Sequence, residues 1–254
     1  MTLKGANGYN ISYDEHISNN CKTIVIAMHG FAGDRKSSCI ALLEEQLEKM
    51  NVGLLKFDWP CHGESEIDGD ALTIQNCLSD LNYVVEYIRK KYKNCNIIAF
   101  STSFGGYLTL LYNYYNPNVF NHIILRSPAI KMYDVVKNNL MTEQMKLELR
   151  KNGYFHYGFE RILKVSLEFI NELRDENVFK LYGDKDLNYI SIIHGTDDDI
   201  VPISDSKLFS DIHNCTIYPI EGADHRYKKN GELDEVIEIA TDIISNVENN
   251  RKKL

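Results

Sequence analysis

The sequence carries no C-x-x-C pair, no apolar run long enough to span a bilayer and no excess of basic residues. Each absence removes a class of reading. The six cysteines, Cys21, Cys39, Cys61, Cys77, Cys95 and Cys215, are widely scattered. That argues against a disulfide framework and for free thiols in a reducing compartment. Residues 1–7 lack the apolar core of a signal peptide, and no window approaches a membrane span. The expected location is therefore the cytoplasm. A net charge of −8 leaves no basic face for nucleic acid or an anionic membrane surface, and Arg251-Lys252-Lys253 reads as a solvated helix end. There is no internal repeat and no low-complexity linker. The 254 residues, 44% apolar and 25% charged, suit one domain with a modest insertion.

What is present is a regular beat of apolar runs and amphipathic stretches. After an expected antiparallel edge hairpin around residues 9–13, Thr23-Ile24-Val25-Ile26-Ala27-Met28 is continuously apolar, as in a strand buried on both faces. It breaks at His29-Gly30-Phe31-Ala32-Gly33. Ile40, Leu43, Leu47 and Met50 then recur at helical spacing behind Ser37 and Ser38, which are candidate caps. A second buried run, residues 53–58, leads into Trp59-Pro60-Cys61-His62-Gly63-Glu64-Ser65. From Thr73, a long helix lines up Ile74, Cys77, Leu81, Val84 and Ile88. Further strands are expected at residues 97–102, 122–126, 189–193 and 215–220, and a last helix over 232–247. The beat stops between 129 and 186, where helical patterns (142–151, 166–174) accompany a high density of aromatic and methionine side chains. Strands alternating with helices imply an α/β fold with a mostly parallel sheet covered on both faces, where functional groups collect at the carboxyl ends of strands. Here His29-Gly30, Asp58, Ser103, Asp198 and His225 all fall at such ends.

The centre of the pattern is Ile97-Ile98-Ala99-Phe100-Ser101-Thr102-Ser103-Phe104-Gly105-Gly106. An apolar strand runs into a turn of small residues and then into a helix, which is the setting of a nucleophile elbow with Ser103 as the nucleophile. Ser101 stands where the first glycine of G-x-S-x-G is usual. A serine hydroxyl needs a base, and the base needs a third group to fix its tautomer. Of the eight histidines, His225 follows the last strand on a loop loosened by Gly222 and is placed to act as base. Three aspartates, Asp197, Asp198 and Asp199, compete for the role of acid. No second carboxylate or histidine set shares metal-ligand spacing with them, so neither a metal nor a cofactor is expected.

His194-Gly195-Thr196-Asp197-Asp198-Asp199-Ile200-Val201-Pro202 resembles the H-G-x-x-D-x-x-V-P segment of α/β-hydrolase esterases and serine aminopeptidase-like hydrolases, and the order Ser…Asp…His is theirs. The resemblance implies an α/β-hydrolase fold spanning 1–254, with residues 129–186 as a small cap. In that register Asp198 is the acid, and Asp197 and Asp199 are solvated turn residues. His29-Gly30-Phe31 is similar to the H-G-x segment, which implies oxyanion-hole N–H groups from Phe31 and, after the nucleophile, Phe104. Asp58-Trp59-Pro60-Cys61-His62-Gly63-Glu64-Ser65 resembles the structural D-x-x-G-H-G-x-S loop, with Cys61 in place of a glycine. Gly222-Ala223-Asp224-His225 matches the G-x-x-H ending. His29, Gly30 and Tyr133 are expected at the substrate. The cap, with Lys164-Val165-Ser166-Leu167-Glu168-Phe169, is similar to bacterial cinnamoyl/feruloyl-esterase-like hydrolases. This implies a small-molecule carboxylic ester with a hydrophobic or aromatic acyl part as substrate, neither nucleic acid nor membrane as partner, and room for a homodimer. A thioesterase, a lipase-like or aminopeptidase-like acyl hydrolase with the same triad, and a non-catalytic module on the same fold are the alternatives.

Overall fold

The computed structural model describes residues 1–5, 8–18 and 20–251. Ala6, Asn7, Asn19, Lys252, Lys253 and Leu254 lie outside the described residues, Lys252 and Lys253 belonging to the expected solvated helix end. Ten strands and nine α-helices alternate along the described chain. The strands are β1 (Thr2–Lys4), β2 (Asn10–His16), β3 (Thr23–Met28), β4 (Gly53–Phe57), β5 (Asn96–Thr102), β6 (His122–Arg126), β7 (Tyr154–Gly158), β8 (Ile162–Ser166), β9 (Ile190–Gly195) and β10 (Thr216–Ile220). The helices are α1 (Ser38–Lys49), α2 (Ile74–Lys91), α3 (Phe104–Tyr115), α4 (Met132–Val135), α5 (Glu143–Asn152), α6 (Leu167–Asp175), α7 (Val178–Tyr182), α8 (Ile203–His213) and α9 (Glu232–Arg251).

Eight strands form one sheet in the order β1-β2-β4-β3-β5-β6-β9-β10. β1–β2 and β2–β4 pair antiparallel and every later neighbour pairs parallel. This is the α/β-hydrolase architecture. Every residue of β3 and β4 is buried, because helices cover both faces. One face packs α1 and α9 on Val25, Ala27, Ile98, Phe100 and Ile124. The other packs α2, α3 and the inserted segment on Ile24, Ile26, Met28, Ile97 and Ala99. β5 lies centrally, so its carboxyl end opens onto the middle of the sheet edge, flanked by the ends of β3 and β6.

Local sequence sets the helix starts. The Thr73, Thr142, Ser166 and Asn177 side chains accept from backbone amides three residues on, each satisfying one orphan donor of a first turn. Residues 129–186 hold α4 to α7 and one element that helical periodicity does not announce, the antiparallel hairpin β7–β8. It buries Phe155, Leu163 and Val165 on one face and exposes His156 and Ile162 on the other. The segment is anchored by Glu172, whose carboxylate accepts from the Ile74 amide at the start of α2 (2.8 Å), and by Tyr107, whose hydroxyl donates to Glu176 O (3.0 Å). Among the described residues no helix is long and apolar enough to cross a membrane.

Candidate active site

β5 enters the turn and α3 leaves it, and Ser103 at the junction takes φ 52°, ψ −113°. This conformation is strained for a residue with a Cβ, and the surroundings hold it. Ser103 N donates to Arg126 O (3.0 Å), and Ser103 O accepts from Ala129 N (3.1 Å) and Tyr107 N (3.2 Å). The turn closes only because its glycines are bare. A Cβ on Gly105 would lie 2.6 Å from His29 O, and one on Gly106 would lie 2.9 Å from the Pro128 side chain.

The loops after β9 and β10 bring the other two polar groups to this hydroxyl. His225 Nε2 lies 3.1 Å from Ser103 Oγ, and His225 Nδ1 lies 2.7 Å from Asp198 Oδ2. Facing a carboxylate, Nδ1 carries the proton, which leaves a lone pair on Nε2 toward the serine. The Asp198 carboxylate is fully enclosed, whereas Asp197 and Asp199 are exposed. Its Oδ1 accepts from Ile200 N (3.0 Å) and Val201 N (2.7 Å). Its Oδ2 also lies 3.2 Å from His194 Nε2. That nitrogen must be protonated, since its other partner is the Val201 carbonyl, while Nδ1 meets Ser206 Oγ. Burial works to raise the Asp198 pKa, but the hydrogen bonds from His194 and His225 outweigh it. The carboxylate therefore lies well below the usual range and stays charged. Thr196 Oγ1 accepts from Gly222 N (2.7 Å) and Asp197 N donates to Ala223 O (3.1 Å), which staples the acid loop to the histidine loop. Arg126 reinforces the pair by donating to His225 O (3.0 Å) and stacking on Tyr227 (4.2 Å).

Opposite them is the turn after β3. A Cβ on Gly30 would meet Ser103 Cβ at 3.3 Å, so backbone lies directly against this serine. The Phe104 amide is the first of α3 and has no intrahelical acceptor, and no bond engages the Phe31 amide among the described residues. The turn is braced from behind. His29 is buried, its Nδ1–H donates to Gly30 O (2.8 Å) and its Nε2 accepts from Trp59 N (3.2 Å). Burial lowers its pKa to about 4, so the imidazole is neutral. Asp58, also enclosed, accepts from the Arg35 amide (2.8 Å), the Arg35 guanidinium and Glu64 N (2.9 Å).

A family model described as serine aminopeptidase, S33, matches residues 19–191. The chain belongs to this family of α/β-hydrolases. A monoglyceride lipase homolog of monkeypox virus is 24% identical to this S33-family chain over 240 residues, covering 85% of each. Est1E from Butyrivibrio proteoclasticus, in a structure with ferulic acid bound, superposes with a TM-score of 0.76 at 23% identity, covering 96% of this chain and 99% of its own. A hydrolase from Agrobacterium vitis S4 gives 0.78 at 17% identity, covering 96% and 98%. At such identities the structures fix the fold and leave the substrate to be read from the site.

The family match covers Ser103 and the turn after β3 and stops short of Asp198 and His225, so geometry alone joins those two to Ser103. Around the turn an aromatic wall gathers. The Phe31 ring stacks on Tyr157 (5.6 Å) and Phe169 (6.2 Å) and meets Phe104 edge-on (5.3 Å). His62 lies against both Phe31 and Phe104 and is neutral, its pKa lowered to about 3 by burial and the neighbouring His29. Beside this wall a groove of about 730 Å³ runs from Ala32 and Gly33 past Gly63 and Glu64 to Phe159 and Arg226, the residue after His225. The His29 ring, expected at the substrate, is enclosed behind the turn, with the adjacent Gly30 backbone against Ser103. Tyr133, on α4, is half-buried against the core with Lys137 over its ring. Sequence reasoning passed over His194, Arg126, Arg35 and Arg161. His194 alone had a signal, its place four residues before the buried aspartate.

Proposed function

We propose that the protein hydrolyses carboxylic esters with an apolar or aromatic acyl group, through an acyl-enzyme on Ser103. The observation that carries this reading is the hydrogen-bonded chain Ser103 Oγ–His225 Nε2 (3.1 Å) and His225 Nδ1–Asp198 Oδ2 (2.7 Å), at a strained elbow facing two unengaged amides. His225 takes the Ser103 proton as Oγ attacks the carbonyl carbon, and Asp198 stabilises the imidazolium. The Phe31 and Phe104 amides receive the oxyanion. The imidazolium then protonates the leaving alcohol, and a water activated by His225 releases the acid. The wall of Phe31, Phe104, Tyr157 and Phe169 supports an apolar or aromatic acyl group. The relatives whose names mention monoglyceride lipase and ferulic acid agree with it. No disulfide forms among the described residues, which supports a reducing, cytoplasmic setting.

The test is a panel of chromogenic esters with short, long and cinnamoyl acyl groups, comparing wild type with Ser103→Ala. Turnover by wild type and a loss on the order of 10³-fold or more in the variant are expected, because triad members act as a unit. Near-full activity in Ser103→Ala would remove Ser103 from the mechanism. The family description favours one second reading, aminopeptidase chemistry with the same residues. Faster turnover of aminoacyl anilides than of any ester would select it.

A further inference from the structure

Arg161 sits at the end of the β7–β8 turn and reaches out of the cap into the body. The turn is built for this presentation: Gly158 has φ 143°, and a Cβ there would lie 2.1 Å from Arg161 O. From that position the guanidinium donates to four carbonyls of one loop. Nη1 reaches His62 O (3.3 Å), Gly63 O (3.0 Å) and Ser65 O (2.8 Å), and Nη2 reaches Ile67 O (2.8 Å). The nearest carboxylate, Asp68, is 3.9 Å away, so the carbonyls are its closest partners.

That loop holds the back of the oxyanion turn. Glu64 N donates to Asp58 Oδ2 (2.9 Å), and a Cβ on Gly63 would fall 2.4 Å from the same carboxylate. Asp58 grips the Arg35 amide, and its neighbour Trp59 donates from N to His29 Nε2 (3.2 Å) and from Nε1 to His29 O (3.0 Å). Gly30 and the Phe31 amide follow at once. The same hairpin touches the turn a second time through Tyr157, stacked on Phe31.

We infer that Arg161 is a positioning residue, tying the cap hairpin to the oxyanion turn so that the cap's place sets the aim of the Phe31 amide. The inference rests on the esterase reading above. An oxyanion donor acts within about 2.7–3.1 Å of the developing charge. A relaxed 62–67 loop therefore weakens the transition state more than the bound ester. Lysine cannot replace the planar fork, because it offers one point charge where four carbonyls are met.

The experiment measures kcat and KM for Arg161→Gln, Arg161→Lys and Lys164→Gln on the best ester. It adds Ki for a trifluoromethyl ketone, which forms a tetrahedral adduct with Ser103. Lys164 ties the same hairpin to Asp70 (2.7 Å) away from the oxyanion turn and is the control for cap anchorage. Both Arg161 variants are expected to lose about 10- to 100-fold in kcat with KM within about threefold, and Ki to rise by the same factor. Lys164→Gln is expected to keep wild-type values. A rise in KM at unchanged kcat, wild-type kcat in either folded Arg161 variant, or an equal loss in Lys164→Gln would overturn the inference. So would melting of both Arg161 variants below assay temperature, which would give Arg161 to fold stability alone. If wild type turns over no ester, the esterase reading fails and the inference with it. If wild type is active and the Arg161 variants match it, the inference alone fails.

Discussion

Replacing Asp198 by asparagine exchanges one oxygen for an NH₂ and should disable the site through a tautomer. The carboxylate accepts four contacts: Ile200 N at 3.0 Å and Val201 N at 2.7 Å on Oδ1, His225 Nδ1 at 2.7 Å and His194 Nε2 at 3.2 Å on Oδ2. The two backbone donors cannot become acceptors, so the oxygen of the introduced amide must stay on them. Its NH₂ then faces His225. The imidazole must answer with a lone pair on Nδ1, which moves its proton to Nε2, against the Ser103 hydroxyl that it should deprotonate. A base held in the wrong tautomer costs about 10⁴ in kcat, or about 5.5 kcal/mol of barrier. Asp197 and Asp199 are exposed and outside this network, so their asparagine variants should stay within about twofold of wild type. The assay is kcat/KM on the preferred ester at pH 7.5, with thermal melting to show that each variant is folded. An Asp198→Asn enzyme within tenfold of wild type, or a larger loss in Asp197→Asn, would refute the assignment.

Two further predictions come from the same close packing and from burial. Gly105→Ala pushes a methyl to within 2.6 Å of His29 O, so the oxyanion turn must move; activity should fall at least about 100-fold and Tm by several degrees, and an active, equally stable variant would show that the turn has slack. Asp80 is buried and, among the described residues, its carboxylate accepts from the Tyr9 hydroxyl alone (2.7 Å); burial pushes its pKa up from 3.8 to about 7, against the opposing hydrogen bond from Tyr9. Because the folded state holds this proton more tightly, the contribution of Asp80 to stability is greatest below pH 3.8, falls as pH rises toward 7 and is level above. Asp80→Asn should exceed wild type by only about 1 kcal/mol near pH 4.5 and by on the order of 4 kcal/mol at pH 8 in urea titrations; a variant no more stable at pH 8 would sink the argument.

The sheet was legible because its central strands are buried on both faces, which forces continuous apolar runs at residues 23–28 and 97–100. The site was legible in so far as it sits on strand ends, where glycines and polar residues interrupt those runs. The hairpin β7–β8 was not, because Tyr154, His156 and Tyr157 blur the alternation of a five-residue strand and the surrounding helical periods dominate. Arg161 left no trace, since its partners are backbone carbonyls, 96 residues away in the case of Ser65, which have no sequence identity to match. The enclosure of His29 was hidden for a different reason. A histidine beside a glycine at a strand end suggests an exposed polar group, and only burial reveals that it braces the turn from behind.

The two departures from the family's glycine pattern follow one physical rule. At four of the kept glycines contact demands it: a Cβ would lie 2.4 Å from Asp58 at Gly63, 2.6 Å from His29 O at Gly105, 2.9 Å from Pro128 at Gly106 and 2.2 Å from Ala223 O at Gly195. Where glycine is lost, the new side chain has somewhere to go. Ser101 is fully buried, yet its hydroxyl meets Thr109 Oγ1 at 2.7 Å, and that hydroxyl in turn donates to Gly105 O at 2.8 Å. The polar atom brought into the core is thus satisfied within the elbow itself. Cys61, where the family pattern has glycine, takes a left-handed backbone with φ 67°, at a cost of about 1–2 kcal/mol. Its side chain joins the apolar core, which offsets that strain, and burial pushes the thiol up to about 12, far from reactivity at neutral pH. A glycine motif is therefore a statement about contact at each position separately, and a chain that breaks it only at uncrowded positions keeps the geometry of the elbow.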